Sequence, residues 1–144
     1  VAVRFIELMK TTDNDDYFTR HHVKAQGLRD WLDRNGWTPA PRAFDAGPAM
    51  EYHHPDHAGA IGLIAPYAPG FCDSCNRLRV TSKGKLRLCL FGDGGVDLRD
   101  LLQDDSDREV LTQRIVSSLG GKSAGHSLAL GRSGDLRNLS QLGG

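Results

Sequence analysis

The sequence predicts a mixed α/β fold whose second part is an α+β segment built around a cysteine-bearing β-hairpin. Three observations support this fold class. Residues 1–9 (VAVRFIELM) are apolar and partly β-branched, as expected of a strand. Residues 17–35 follow a polar loop and have a partial helical stripe of apolar side chains. Residues 76–81 and 85–90 alternate on either side of a Ser-Lys-Gly turn, the pattern of a two-stranded ribbon.

The remaining elements follow in chain order. Arg4 and Glu7 interrupt the opening strand, a loop covers residues 10–16, and Gly36 ends the first helix. Prolines and glycines break the chain between residues 39 and 48, residues 60–65 (AIGLIA) form a short strand, and a last helix covers residues 107–119. We therefore expect a terminal βα unit (1–38), a second domain (39–119) and a flexible glycine-rich tail (120–144), whose scattered leucines offer little burial to offset chain entropy.

Length and composition exclude several classes of protein. The chain has 144 residues, the size of one domain, and 39% hydrophobic residues are enough for a modest core. Eighteen basic and eighteen acidic residues cancel, so neither nucleic acid nor a membrane is an expected partner, and any anion site must come from local clustering. The chain has no signal peptide pattern.

Three cysteines, an odd number, predict reduced thiols or metal ligands in a cytoplasmic protein. An apolar strand opening at Val1 and not at Met predicts a piece of a longer chain.

The three cysteines have the spacing C-x2-C-x13-C, at Cys72, Cys75 and Cys89. A C-x2-C pair commonly holds one metal centre between two thiolates, and a third ligand can arrive from a strand that folds back beside them. The turn Ser82-Lys83-Gly84 suits a three-residue hairpin loop with Gly84 left-handed. Counting outward from this loop predicts the following register: Thr81 opposite Lys85, Arg79 opposite Arg87, and Arg77 opposite Cys89.

This register places Arg77, Arg79 and Arg87 on the same face as Cys75 and Cys89. Like charges directly opposite each other destabilise a hairpin, and a bound polyanion would offset that cost because guanidinium groups bind phosphate oxygens in a bidentate fork. The alternative is a solvated basic strand. Cysteines on the same predicted face favour a metal centre beside an anion pocket.

The identity of the metal stays open at this point. Zinc held by three cysteines and one histidine is one possibility, and it would make the chain a small interaction module without catalysis. Candidate histidines are His53, His54, His57 and His126. A 4Fe–4S cluster with one iron free of protein thiolate is the other. A redox carrier is a third reading, but a cationic surround and an open iron suit ligand binding better.

The motif FCDSCNRLRVTSKGKLRLCLF, followed by VDLRDLL, preceded by FIELM and closed by LSQLGG, resembles the C-terminal part of the GTP 3′,8-cyclase family, also called molybdenum cofactor biosynthesis protein A. The resemblance covers nearly the whole chain. It implies a radical S-adenosylmethionine enzyme with two 4Fe–4S clusters on an incomplete TIM-type barrel. Such an enzyme converts GTP to 3′,8-cyclo-7,8-dihydro-GTP in molybdenum cofactor biosynthesis.

The resemblance also implies roles for individual residues. Cys72, Cys75 and Cys89 match the ligands of the C-terminal 4Fe–4S cluster. Arg77 and Arg79 match the arginines that hold the triphosphate, with Arg87 added by the predicted register. Arg4 matches a residue that contacts S-adenosylmethionine or substrate. Gly143 and Gly144 match a terminal pair that enters the active site and acts in the chemistry, and we expect Leu139 and Leu142 to dock the tail.

The chain departs from the family pattern in one respect: it has no C-x3-C-x2-C motif, since the hairpin uses all three cysteines. The second 4Fe–4S cluster and most of the S-adenosylmethionine site are therefore expected in an N-terminal radical S-adenosylmethionine half. We expect this chain alone to be inactive. The expected partners are GTP, that N-terminal half and a second copy in a homodimer of the full-length protein.

Overall fold

The computed structural model describes residues 1–142, and the side chains of residues 1–140. Within that range it has two β-sheets and three α-helices, which confirms the mixed α/β prediction; the barrel stays a prediction. The chain forms two compact units. The first contains residues 1–9 and 16–75, and the second contains residues 10–15 and the chain from Asn76 onward. None of the described helices is long and apolar enough to cross a membrane.

A four-stranded sheet forms the first unit. Its strands are β1 (Ala2–Ile6), β2 (Thr38–Pro39), β3 (Met50–His54) and β4 (His57–Ile64), in the order β1-β4-β3-β2. β1 pairs with β4 in parallel, and the other pairs are antiparallel. The predicted opening strand is confirmed but ends at Ile6, and all five residues of this edge strand are exposed. The predicted strand 60–65 lies mostly within β4, in the segment that we assigned to the second domain; the predicted domain limits stay predictions.

The hairpin of β3 and β4 was missed from the sequence. His54 and His57 flank its turn, and the backbone N–H of Asp56 donates to His54 Nδ1 at 3.1 Å. The His57 ring stacks on Trp37 with a centroid distance of 5.6 Å. Among the described residues, no three His, Cys, Asp or Glu side chains form a group that could hold a metal. The histidine-rich run 53–57 is thus part of a strand pair, in which one histidine accepts a backbone hydrogen bond and another stacks on a tryptophan.

The single helix predicted over 17–35 is wrong, because the chain forms two helices there. They are α1 (Asp15–His21) and α2 (Ala25–Arg34). Between them, His22 Nε2 lies 2.9 Å from the carboxylate of Glu7, and Lys24 is extended where α2 begins. This contact with a distant residue accompanies the break between the two helices. Val23 lies in the break and is 78% exposed, so it does not belong to the predicted apolar stripe. Gly36 ends α2 as predicted, with φ +80°.

The core of the first unit lies between α2 and the sheet. It consists of Ala25, Leu32, Tyr52, Leu63 and Ala65. Leu28, Trp37, Met50 and Ile61 pack against its margin. Burial of a side chain such as Leu32, which is fully inaccessible, contributes roughly 1.5–3 kcal/mol. The core therefore holds α2 against the two central strands.

The second unit contains a three-stranded antiparallel sheet, β5 (Arg79–Val80), β6 (Lys85–Arg87) and β7 (Val96–Asp97), in the order β5-β6-β7. Helix α3 (Arg108–Leu119) confirms the last predicted helix. Short 3₁₀ helices complete the unit: Thr12–Asn14, Arg99–Leu101, Asp105–Asp107, Leu128–Leu130 and Leu139–Leu142. Its buried leucines are Leu86, Leu98, Leu101, Leu128 and Leu136.

Candidate functional site

The basic hairpin has the predicted register at its centre. Arg79 pairs with Arg87 across β5 and β6, and the backbone N–H of Thr81 donates to the carbonyl of Lys85 at 2.9 Å. Gly84 has φ +72°, the left-handed conformation that the loop requires. The strands are shorter than predicted, because β6 ends at Arg87. The expected pairing of Arg77 with Cys89 therefore lies outside the observed strand pairs. The alternation of apolar and polar residues predicted longer strands than the structure has.

None of the three cysteines forms a disulfide. Cys72 and Cys75 belong to a tight turn at the end of the first unit, where the Cys75 N–H donates to the Cys72 carbonyl at 3.0 Å. Cys89 belongs to the second unit, two residues after β6. Cys75 is exposed and the other two are half-buried. Among the described residues the three cysteines are not gathered into a group that could hold a metal. Thiolates of this number and spacing suit the chemistry of an iron–sulfur cluster or of zinc, so the shared centre stays a prediction.

Arg42 braces the turn between Cys72 and Cys75, and the sequence alone did not indicate it. Its guanidinium donates to the hydroxyl of Ser74, and Nη2 reaches the Ser74 carbonyl at 3.4 Å and the Ala46 carbonyl at 3.2 Å. Its Nε is buried without a hydrogen bond in the described residues. A fixed fork of donors on both the side chain and the carbonyl of one residue restrains that residue's backbone.

The three predicted phosphate-binding arginines differ in their surroundings. Arg77 is exposed and Arg79 is half-buried, and no ion pair to either guanidinium occurs in the part of the chain that the structure describes. The Arg87 side chain is only 10% exposed and donates to the carboxylate of Asp135 at 2.5 Å. Asp135 therefore neutralises one of the two facing charges of the hairpin.

Arg4 lies in a row that crosses three strands. It is opposite Gly62 in β4, which in turn is opposite Glu51 in β3. Arg4 Nη2 donates to Glu51 Oε1 at 3.0 Å, passing over the glycine, where an added Cβ would lie 2.9 Å from Arg4 Cγ. Arg4 and Glu51 form part of the wall of a cavity of about 530 Å³, to which Arg42 also contributes.

The sequence did not predict that Glu7 is buried and paired. Glu7 follows β1, and its side chain is 3% exposed. Its carboxylate lies 2.9 Å from His22 Nε2, and the His22 ring stacks on Phe18 with a centroid distance of 4.3 Å. Burial of a carboxylate requires such a partner. A charged residue within an apolar strand pattern can indicate a buried, paired carboxylate, and at Glu7 it does so; it is not merely an interruption of the strand.

The tail is more firmly attached than its composition predicts. Leu136 is 1% exposed and Leu128 is 2% exposed, whereas Leu139, one of the two expected anchors, is 42% exposed. Leu136 is the buried anchor at this point of the tail, and its carbonyl accepts from the Thr12 N–H at 3.4 Å. The residues on either side are hydrogen-bonded too, Asp135 to the Gly94 N–H and Arg137 to the Asp13 N–H. The side chain of Leu142, and Gly143 and Gly144, lie outside the described residues.

Comparison with known proteins yields one consistent group. A family profile described as Molybdenum Cofactor Synthesis C matches residues 1–128. The GTP 3′,8-cyclase of Stenotrophomonas maltophilia (strain K279a) is 57% identical over 143 residues, 99% of this chain and 44% of that protein. Proteins of the same name from Psychromonas ingrahamii and Synechococcus elongatus are 51% and 52% identical over the whole chain and 42% and 44% of their own lengths. The chain spans less than half the length of these relatives.

Proposed function

The chain belongs to the Molybdenum Cofactor Synthesis C family, and from this we propose that it is the GTP-binding and cluster-binding part of a GTP 3′,8-cyclase of the radical S-adenosylmethionine class. The full-length enzyme would work in the cytoplasm, in molybdenum cofactor biosynthesis. It would convert GTP to 3′,8-cyclo-7,8-dihydro-GTP as a lyase. The part that generates the radical would lie outside this chain, together with its own 4Fe–4S cluster.

The proposal assigns the three thiols to one 4Fe–4S cluster. Cys72, Cys75 and Cys89 would be its ligands; none of them forms a disulfide, and none is fully buried. When bound, such a cluster supplies an iron without a protein thiolate, to which the purine of GTP could bind. Arg42 would hold the turn between the first two ligands through Ser74.

The basic hairpin supports the assignment of the triphosphate site, and it is the single observation that carries the proposal. Arg79 faces Arg87 across a confirmed strand pair, and Asp135 neutralises Arg87. Arg77 and Arg79 are thus the guanidiniums that a triphosphate would pair with first. Arg87 would contribute less to GTP binding, because its side chain is only 10% exposed and its Nη2 already donates to Asp135 and to the carbonyl of Gly92.

Arg4 is the residue that we propose for contact with S-adenosylmethionine or substrate. Glu51 holds its guanidinium at the wall of the cavity by an exposed ion pair, which a bound anion could compete for at a cost of only about 1 kcal/mol. Gly143 and Gly144 would act in the chemistry at the end of the tail. Their lack of a Cβ suits close approach to a ligand.

The test uses the chain loaded anaerobically with iron and sulfide. Iron and sulfide are counted, and GTP and guanosine binding are compared by equilibrium dialysis. We expect a visible-light absorption band, four irons per chain on the cluster stoichiometry, and GTP bound more tightly than guanosine. Cys89→Ser should abolish the band. Lys83→Ala, which removes an exposed charge at the hairpin loop, is the matched control and should change neither readout.

Two outcomes would overturn the proposal. Retention of iron and sulfide by Cys89→Ser would refute the ligand assignment. A colourless chain that takes up zinc alone and binds guanosine as tightly as GTP would identify the interaction module.

A further inference from the structure

We propose that Asp135, on the C-terminal tail, positions Cys89 by bracing the turn that follows it; the consequence for the metal centre rests on the proposed function. The turn connects β6 to β7 and covers residues 88–95. All of the contacts described below lie within the second unit.

The first observation is a bridging carboxylate. Asp135 Oδ1 accepts from Arg87 Nη2 at 2.5 Å, and Oδ2 accepts from the backbone N–H of Gly94 at 2.9 Å. The same Nη2 donates to the carbonyl of Gly92 at 2.5 Å. One carboxylate and one guanidinium therefore tie together the end of β6 and two backbone groups of the turn. Hydrogen bonds to charged groups are about twice as strong as neutral ones.

The second observation is the close approach of the tail backbone. Gly134 has φ +63°, and a Cβ on it would lie 2.6 Å from the Gly92 carbonyl oxygen and 2.7 Å from that of Phe91. Neither backbone oxygen can move without moving the turn. Only glycine fits here, both for its conformation and for its size. A Cβ on Gly92 would in turn lie 3.4 Å from the Cβ of Cys89, so the braced backbone is in contact distance of the cysteine.

The third observation is that the tail segment carrying Asp135 is itself held in place, by contacts with Asp13. The Asp13 N–H donates to the Arg137 carbonyl at 3.0 Å, and the Asp13 carboxylate accepts from Asn138 at 3.2 Å. With Leu136 buried between these contacts and Asp135, the tail segment 134–138 is held at both ends. A segment held in this way can transmit rigidity to the turn, whereas a free tail could not.

Removal of the Asp135 charge should loosen the turn without a large change in shape. Arg87 is largely buried, so loss of its carboxylate partner leaves a desolvated charge with one carbonyl as acceptor. The guanidinium would then turn toward water, so the Gly92 carbonyl would lose its donor, and the Gly94 N–H would keep at most a weaker, uncharged acceptor. Cys89 would become more accessible as the turn opens.

The experiment needs no metal. In the apo chain carrying Cys72→Ser and Cys75→Ser, Cys89 is the only thiol, and its alkylation by iodoacetamide is timed. Asp135→Asn should raise that rate by about five- to tenfold, as expected for the loss of a charge-assisted hydrogen bond. The matched control is Asp93→Asn, the same change on an exposed acid within the turn, which should leave the rate within about twofold. Circular dichroism checks that both variants are folded.

A rate for Asp135→Asn equal to that of Asp93→Asn would overturn the brace. If Asp135→Asn does not fold, Asp135→Glu keeps the charge and displaces the oxygens by one methylene; it should raise the rate by a smaller factor, and no change would again overturn the inference. A second arm uses the iron-loaded chain with all three cysteines, where Asp135→Asn should lose iron faster to a chelator. If the parent chain binds no iron while the alkylation rates differ as expected, the proposed function fails and the brace stands.

Discussion

Substitution of Gly62 by alanine tests the row of residues that holds Arg4. Gly62 is buried in β4, and its φ lies outside the positive range, so alanine is compatible with its backbone. In a strand, alanine would normally be more stable than glycine by about 0.5–1 kcal/mol. Here the new methyl group would lie 2.9 Å from Arg4 Cγ, closer than carbon atoms approach, and 3.6 Å from the Cβ of Ala49.

The opposing cost follows from these distances. Cγ is in the middle of the Arg4 side chain, so the whole side chain must leave its conformation; such overpacking costs about 1–3 kcal/mol. The displaced guanidinium would also lose Glu51, an exposed pair worth about 0.2–1 kcal/mol. Subtraction of the alanine gain leaves a net destabilisation of about 0.2–3.5 kcal/mol.

The assay is urea unfolding followed by circular dichroism, with Gly27→Ala as the matched control. Gly27 lies inside α2 with no atom within 4 Å of an added Cβ. Alanine there should stabilise the chain by about 0.5–1 kcal/mol. In an Arg4→Ala background the clash is absent, so Gly62→Ala should become stabilising. Equal gains from the two alanine substitutions, or the same loss with and without Arg4, would refute the reasoning.

The remaining predictions concern the anion, the tail and the terminal glycines. Arg77→Ala and Arg79→Ala should each weaken GTP binding by roughly 1.5–3 kcal/mol in equilibrium dialysis, the range for hydrogen bonds to charged groups, while guanosine binding is unchanged; an equal loss for both ligands would exclude a phosphate contact. The Arg87 guanidinium holds the pKa of Asp135 below its ordinary value of 3.8. Because the ionised form is the one favoured by folding, this stabilisation is present above pH 3.8 and is lost as the pH falls through the lowered pKa. Melting temperatures measured across this acid range should therefore fall more steeply for the parent chain than for Asp135→Asn; parallel curves would contradict it. In a full-length enzyme, deletion of Gly143 and Gly144 should abolish cyclisation while GTP binding is kept, and unchanged turnover would show an ordinary chain end.

Local patterns in the sequence were sufficient for several elements. The opening strand, the end of α2 at Gly36 and helix α3 follow from propensity, periodicity and a stop signal within a few residues. The register of Arg79 and Arg87 also follows locally, because a three-residue loop with a left-handed Gly84 leaves little choice in how the flanking strands pair. The cysteine spacing and its flanking CNRLR motif were enough to indicate the family.

Contacts between residues far apart in the chain decided the rest. The break between α1 and α2 accompanies the contact of His22 with the buried Glu7, fifteen positions earlier. The tail is held by Leu136 and by Asp135, whose partner Arg87 is forty-eight positions away. A sequence pattern records which side chains prefer burial or a partner, and it contains no record of which distant group supplies it. The neutralisation of Arg87, the row from Arg4 to Glu51 over Gly62, and the brace behind Cys89 therefore came from tertiary structure, where buried charges and close backbone approaches require particular partners.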